Sequence, residues 1–252
     1  MKVTLTEMHS ITDAIRTMYM SKRTWTPELE KEIRAICSLM TSPIGKPLMS
    51  IQIPKNYTPE IEQRFLDMTG KLFKYGQKHT TMLRFIDLSV IVEGLHRGAT
   101  DDFDSHAKRL ENRIIRSSTR LANYNTDDVS DWYKDKIIPL ETALLVTSTQ
   151  LPKTIVKNGE TYVRADGGYV KEGFENNKDV LRGLLPLSIP MTFTFKVNLV
   201  ELAHIYRERG TKEGGAHGTA APELQEMMEE LMNQLESWYP MLTREYLLGI
   251  CN

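Results

Sequence analysis

Pro190-Met191-Thr192-Phe193-Thr194-Phe195-Lys196-Val197, followed at once by Asn198-Leu199-Val200-Glu201-Leu202-Ala203-His204-Ile205-Tyr206-Arg207-Glu208-Arg209, is the stretch that decides the fold. The first part alternates around Phe193 and Phe195 and predicts a strand. The second predicts a helix that begins at Asn198 or Leu199 and ends at Arg209, just before the glycine-rich loop Gly210 to Ala221. Upstream, Arg182 sits between Leu181 and Gly183-Leu184-Leu185-Pro186-Leu187. A charge inside an apolar run needs a partner or a ligand, and a structural ion pair meets that need as well as a ligand does. Arg209 likewise suits either an anion or the negative end of its own helix.

Outward from this core, Met1 to Glu7 reads as a first strand, and residues 11–20 carry apolar residues at helical spacing. Thr26-Pro27-Glu28 and Thr58-Pro59-Glu60 are twin helix starts, each with a threonine cap, a first-turn proline and an early acid. The helices they open are expected to end near Met40 and Gly76. Residues 85–93 read as a strand. Asp101 to Arg120 reads as a helix capped by Asp101 or Asp102, residues 125–135 are turn-rich, and Phe174 to Leu185 reads as a helix. Asn158-Gly159, between Thr154-Ile155-Val156 and Thr161-Tyr162-Val163, signals a hairpin. Pro222 to Trp238 predicts a long amphipathic helix with an acidic outer face. There is no internal repeat and no linker-like stretch, so the expectation is one α+β domain over residues 1–252.

The hydrophobic share of 40% in 252 residues allows a sizeable core. A formal net charge of -1 argues against a non-specific DNA or RNA binder, which needs a basic excess. Cys37 and Cys251 allow at most one bridge, and a reducing, cytoplasmic setting is expected. Apolar runs such as Leu184 to Leu187 fall short of a membrane span, and the N-terminus lacks the apolar stretch of a signal peptide.

Common catalytic motifs are absent: no dinucleotide fingerprint, no phosphate-loop lysine, no zinc-protease pair, no serine elbow. The six histidines do not cluster at metal spacing, and no metal is expected. Arginine stands out instead. Arg109, Arg113, Arg116 and Arg120 recur at three- and four-residue spacing, which on a helix lines one side. With Ser117-Ser118-Thr119 beside Arg120, such a row suits a phosphate. On pattern alone it better suits a solvated basic face paired with nearby acids, since charge runs usually mean exposure.

In order and spacing, the chain resembles the flavin-dependent thymidylate synthases. Arg182 with its leucine-proline step, a strand, and then Asn198-Leu199 through Arg209 resemble the C-terminal half of that family. Glu223-Leu224 falls where the family has Glu-Ile. In the first half, Ala14-Ile15-Arg16 through Tyr19-Met20-Ser21 resembles its Ala-Ala-Arg helix ending in Tyr-x-Ser. Gly76 with His79-Thr80-Thr81, then Ile91-Val92-Glu93-Gly94, and Ser118-Thr119-Arg120 with Tyr124 follow in family order.

The resemblance implies a central, mostly antiparallel sheet with long helices, and an enzyme that transfers a one-carbon unit to C5 of dUMP. Methylenetetrahydrofolate is the implied donor, reduced FAD the hydride source and NADPH the reductant, so no protein nucleophile is needed. By position, Ser118, Arg120, Arg182 and Arg209 would hold the pyrimidine nucleotide, with Arg209 also stabilising charge that develops on the ring. His79, Thr81, Arg109, Asn198 and His204 would line the flavin. A homotetramer is implied. The chain departs from the family where Lys108-Arg109-Leu110 takes the place of Arg-His-Arg, Arg113 that of a serine and Arg116 that of a Glu/Gln. Val200 stands where Asn-Leu-Arg has its arginine, and Arg84-Phe85 replaces Glu-His. These losses fall mostly on flavin contacts, so a pyrimidine-nucleotide-binding homologue without flavin chemistry is the alternative expectation.

Overall fold

The computed structural model describes residues 1–42, 45–47, 58–104, 113–116, 152–165, 168–177, 189–211 and 222–250. It divides into two compact units: Met1–Lys2 with Glu93–Asp104 and Ile115–Phe193, and Val3–Val92 with Ser105–Ile114 and Thr194–Asn252.

The second unit begins with β1 (Lys2–His9), which turns into α1 (Ile11–Ser21). α2 (Pro27–Met40) and α3 (Pro59–Lys78) start as the sequence predicts. Thr26 Oγ1 accepts from Leu29 N at 3.1 Å and Thr58 Oγ1 from Ile61 N at 3.3 Å, and each helix has its proline in the first turn. Ile15, Met18, Ile33, Met40, Met68 and Leu72 are fully buried. Between α1 and α2, the Arg16 guanidinium bonds Asp13 and, at 2.7 Å, Glu30. Glu30 also accepts from Arg34 and from Trp25 Nε1. The Arg16 hydrogen bond, then that of Arg34, holds the Glu30 carboxyl at about 2 instead of 4.5. A depressed carboxylate stabilises the folded state above its unfolded pKa and loses that contribution as pH falls through the folded value. The expected result is a loss of stability between pH 4.5 and 2 that is smaller in Glu30→Gln than in the unaltered chain. Urea midpoints measured across that window, with the variant less stable at pH 7, check it.

α3 runs two residues past Gly76, and a 3-10 helix (Thr80–Phe85) then folds back against it. Gly76 makes that return possible: a Cβ there would sit 2.5 Å from Leu83 Cδ2, and Leu83 is fully buried. Alanine gains about 1 kcal/mol of helix propensity over glycine, but overpacking costs about 1–3 kcal/mol. Gly76→Ala is therefore expected to destabilise by about 0–2 kcal/mol, read from denaturant unfolding.

β2 (Asp87–His96) buries Leu88, Val90 and Val92 on one face. β7 (Pro190–Asn198) alternates without a break: Met191, Phe193, Phe195 and Val197 are buried, while Thr192, Thr194 and Lys196 are exposed. The four-stranded sheet runs in the order β1-β2-β7-β3, with β3 at Arg113–Arg116. β1 is an edge strand, and its backbone is answered by α6 (Pro222–Trp238). Gln234 accepts from Leu5 N and donates to Val3 O, each at 2.8 Å, like one more rung of the sheet. α6 buries Leu224, Met227, Met228, Leu231 and Leu235, as its spacing predicts. Its first-turn Glu223 is buried as well, so the acidic face is not wholly an outer one. α7 (Arg244–Ile250) follows and carries no strong sequence signal.

In the first unit, α4 (Arg97–Asp104) packs Phe103 against Phe193 with ring centroids 5.8 Å apart. Arg97 N donates to Ile189 O at 2.9 Å. β4 (Thr154–Lys157), β5 (Glu160–Ala165) and β6 (Gly168–Lys171) form an antiparallel meander. The hairpin lies where Asn158-Gly159 predicts it. Lys157 pairs with Glu160, and the two turn residues have φ of 57° and 80°, a type I′ turn.

Two expectations are corrected. Of the helix expected from Asp101 to Arg120, the described residues are Asp101 to Asp104, which belong to α4 with Asp101 inside it rather than at its cap, and Arg113–Arg116, which form the β3 strand; residues 105–112 and 117–120 lie outside the described residues. A strand has a two-residue period, so the three-residue spacing of Arg113 and Arg116 does not describe a shared helical face. Polar composition carried that expectation, and composition does not fix a period. Phe174 to Asn177 is turn and irregular backbone rather than the start of a helix. The rest of that stretch, the turn-rich 125–135 and Cys251 lie outside the described residues.

Candidate functional site

Two ends of the second unit carry the described candidates. At the first, His79 closes α3, donating its backbone N–H to Tyr75 O at 3.0 Å, and opens the 3-10 helix. Its ring lies 4.3 Å from that of Tyr75, tilted by 35°. Lys22 Nζ stands 4.1 Å from the centroid of the Tyr75 ring, and Ser21 Oγ is 3.4 Å from the Tyr75 hydroxyl. The end of the Tyr-x-Ser segment and the His79-Thr81 segment, 58 residues on, thus meet around one tyrosine. His79 and Thr81 are both exposed. Sequence reasoning passed over Lys22 and Tyr75. The available signal was that Tyr75 lies one helical turn before His79 and Lys22 directly follows Ser21.

The 3-10 helix packs against α1, α3 and α5 (Leu199–Ile205). Asn198, the last residue of β7, caps α5: its Oδ1 accepts from Glu201 N at 2.9 Å. Leu199 N donates to Ile86 O at 2.9 Å, which ties the start of α5 to the residue where the 3-10 helix leads into β2. Asn198 is therefore placed on an element adjoining the turn of His79 and Thr81, with one lone pair of its side-chain oxygen used by the cap. His204 is half-buried in the last turn of α5. Glu201 is wholly buried in the same helix, a carboxylate the sequence reading did not single out.

At the second end α5 does not continue as an α-helix. Tyr206–Gly210 forms a π turn, and Arg209 is on it, half-buried. Such turns are rare and recur at functional sites. Gly210 allows the turn to close on α6. A Cβ there would lie 2.4 Å from Tyr206 Cδ2 and 3.1 Å from Met228 Cβ. The Tyr206 hydroxyl donates to Glu229 Oε1 at 3.0 Å, and burial, then this carboxylate, pushes its pKa up to about 12. It remains a donor at all ordinary pH. Ser118, Arg120, Arg182 and Arg109 lie outside the described residues.

A cavity of about 440 Å³, lined mainly by apolar side chains such as Phe65, Leu66, Phe73, Trp238 and Met241, contains none of the nominated residues. Its lining does not suit a dianionic nucleotide. Among the described residues, no group of three or more His, Cys, Asp or Glu is arranged to hold a metal ion, and no helix is long and apolar enough to cross a membrane.

The structure is similar to that of thymidylate synthase X from Helicobacter pylori with FAD and dUMP. In one such structure the TM-score is 0.51 at 12% identity, covering 98% of this chain and 100% of the other. In a second the TM-score is 0.52 at 14% identity, covering 97% and 99%. A UMP/dUMP methylase, PolB, from Streptomyces cacaoi bound with 5-Br dUMP gives 0.51 at 10% identity, covering 97% and 93%. At such identities the likeness concerns the fold. No curated protein sequence matches the chain. The sequence profile of the thymidylate synthase complementing proteins (Thy1) matches residues 4–241, nearly the whole chain and both halves of the motif order. The chain belongs to this family, that of the flavin-dependent thymidylate synthases.

Proposed function

We propose that the protein transfers a one-carbon unit to C5 of dUMP, as a divergent thymidylate synthase-type methyltransferase of nucleotide biosynthesis. The observation that carries this reading is the run from Pro190 to Gly210. Strand, asparagine cap and helix lead in family order to Arg209, which here stands on a π turn. Arg209, with Ser118, Arg120 and Arg182, would bind the nucleotide, replacing water lost by the phosphate and answering negative charge on the ring. His79, Thr81, Asn198 and His204 would line a flavin, with Arg109 near it. The exposed ring of His79 and hydroxyl of Thr81 offer donors that would suit the polar edge of that group. FAD, when bound, would supply the hydride chemistry. Methylenetetrahydrofolate and NADPH would be co-substrates. The reading carries with it a single cytoplasmic domain assembled as a homotetramer.

A second reading, a nucleotide-binding homologue without flavin chemistry, is favoured by specific residues. Val200 sits where the family has an arginine, and Arg84 and the 46% exposed Phe85 stand where it has Glu-His. Fewer donors for the pyrophosphate lead to the expectation that FAD is retained below one per chain through purification. The experiment is a visible spectrum of the purified protein, calorimetric titration with dUMP, and a turnover assay with methylenetetrahydrofolate, FAD and NADPH. Saturable dUMP binding with turnover supports the enzyme. dUMP binding without flavin or turnover supports the homologue. No affinity for dUMP or any pyrimidine nucleotide sinks both.

A further inference from the structure

We propose that Tyr206, Glu229 and Arg244 are positioning residues: their hydrogen-bond chain holds the π turn and so sets the aim of Arg209. The inference rests on the nucleotide reading of Arg209 given above. A π turn contains one residue more than the α turn it replaces, which rotates everything after it by about 100°. Arg209 therefore faces a direction that a continuous α-helix from Leu199 would not give it. The wider turn has poorer internal packing, so something outside it must hold it open.

Tyr206 opens the turn and supplies that support. Its buried ring occupies the space beneath Gly210, against Met228 of α6. Its hydroxyl donates to Glu229 Oε1 at 3.0 Å. The other carboxylate oxygen, Oε2, accepts from Arg244 Nε at 2.8 Å and lies 2.7 Å from Nη2. Arg244 is itself held on its remaining edges: Nη1 donates to Glu236 Oε1 at 3.0 Å and Nη2 to Asn233 Oδ1 at 2.7 Å. Every side of the guanidinium is engaged, so Glu229 is fixed from behind. A lone surface carboxylate would give the tyrosine a mobile acceptor. This one is anchored by a forked arginine whose geometry leaves little freedom. The chain of bonds runs from α7 through α6 to the π turn and lies within the second unit.

The test uses the whole protein and two variants, Tyr206→Phe and Glu229→Gln. Phenylalanine keeps the ring under Gly210 and removes only the hydroxyl. Glutamine has one acceptor oxygen, so it can serve the hydroxyl only by setting its NH2 against the Arg244 guanidinium. In Tyr206→Phe, amide exchange at residues 207–211 is expected to quicken by about tenfold, and dUMP binding to weaken by about fivefold to tenfold. Glu229→Gln, which loses the charged anchor on Arg244, is expected to shift both readouts in the same direction, by about twofold to fivefold. A merely structural hydroxyl would lower the melting temperature and leave both exchange in the turn and affinity unchanged. That result, or unchanged exchange in Tyr206→Phe even where dUMP binds, overturns the positioning role. Absence of dUMP affinity in the unaltered protein is a different failure, of the nucleotide reading itself, and exchange still decides whether the turn is clamped.

Discussion

Arg209→Ala is expected to bind dUMP about tenfold to a hundredfold more weakly than the unaltered protein and to melt within about 4 °C of it. A nucleotide monophosphate carries close to two negative charges, and its site must replace the water it sheds. Hydrogen bonds to charged groups contribute about 1.5–3 kcal/mol each, which is the source of the expected range. The structure adds a reason for choosing this arginine. It sits on a π turn, half-buried, with Gly210 beside it packed against α6, so its backbone is set before any ligand arrives. A preset guanidinium gives up less freedom on binding than a surface one. Calorimetric titration with dUMP beside a thermal melt reads both quantities. A fall in melting temperature with affinity intact would assign Arg209 to the fold alone.

Phe195→Ala is expected to lose about 3–5 kcal/mol of stability, against about 0.5 kcal/mol or less for Thr194→Ala next to it. Phe195 is 1% exposed and lies in β7, which runs between β2 and β3. Removing its ring leaves a cavity in a strand flanked on both sides, where the surroundings can collapse only in part. Thr194 faces out and leaves nothing behind. The contrast within one strand tests the alternation itself. Urea unfolding of the two variants is the measurement, and equal losses would contradict the assigned faces. The effect reaches the site as well, because β7 ends on Asn198, whose cap starts α5 and leads to Arg209.

Much of this was legible in the residues. The threonine caps and first-turn prolines of α2 and α3, the Asn158-Gly159 hairpin, the alternation of β7 and the apolar stripe of α6 are local signals, each read within a few residues. So was the motif order that places the chain in its family. What failed was the reading of Arg113–Arg116 as helix, where polar composition stood in for a period, while α7 went unread because its few residues carry too short a pattern. The sheet order β1-β2-β7-β3 was not legible, because β2 ends at His96 and β7 begins only at Pro190, and no local rule pairs strands so far apart. Nor was the π turn. A π turn and an α turn use the same backbone region and the same residues, and the choice here rests on the Tyr206 ring under Gly210 and the Glu229 carboxylate on α6. The sequence by itself determined that Arg209 follows a helix in family order. Only the tertiary structure decided which way it points and joined Tyr75, His79 and Lys22 at one end, because those contacts form between elements far apart along the chain.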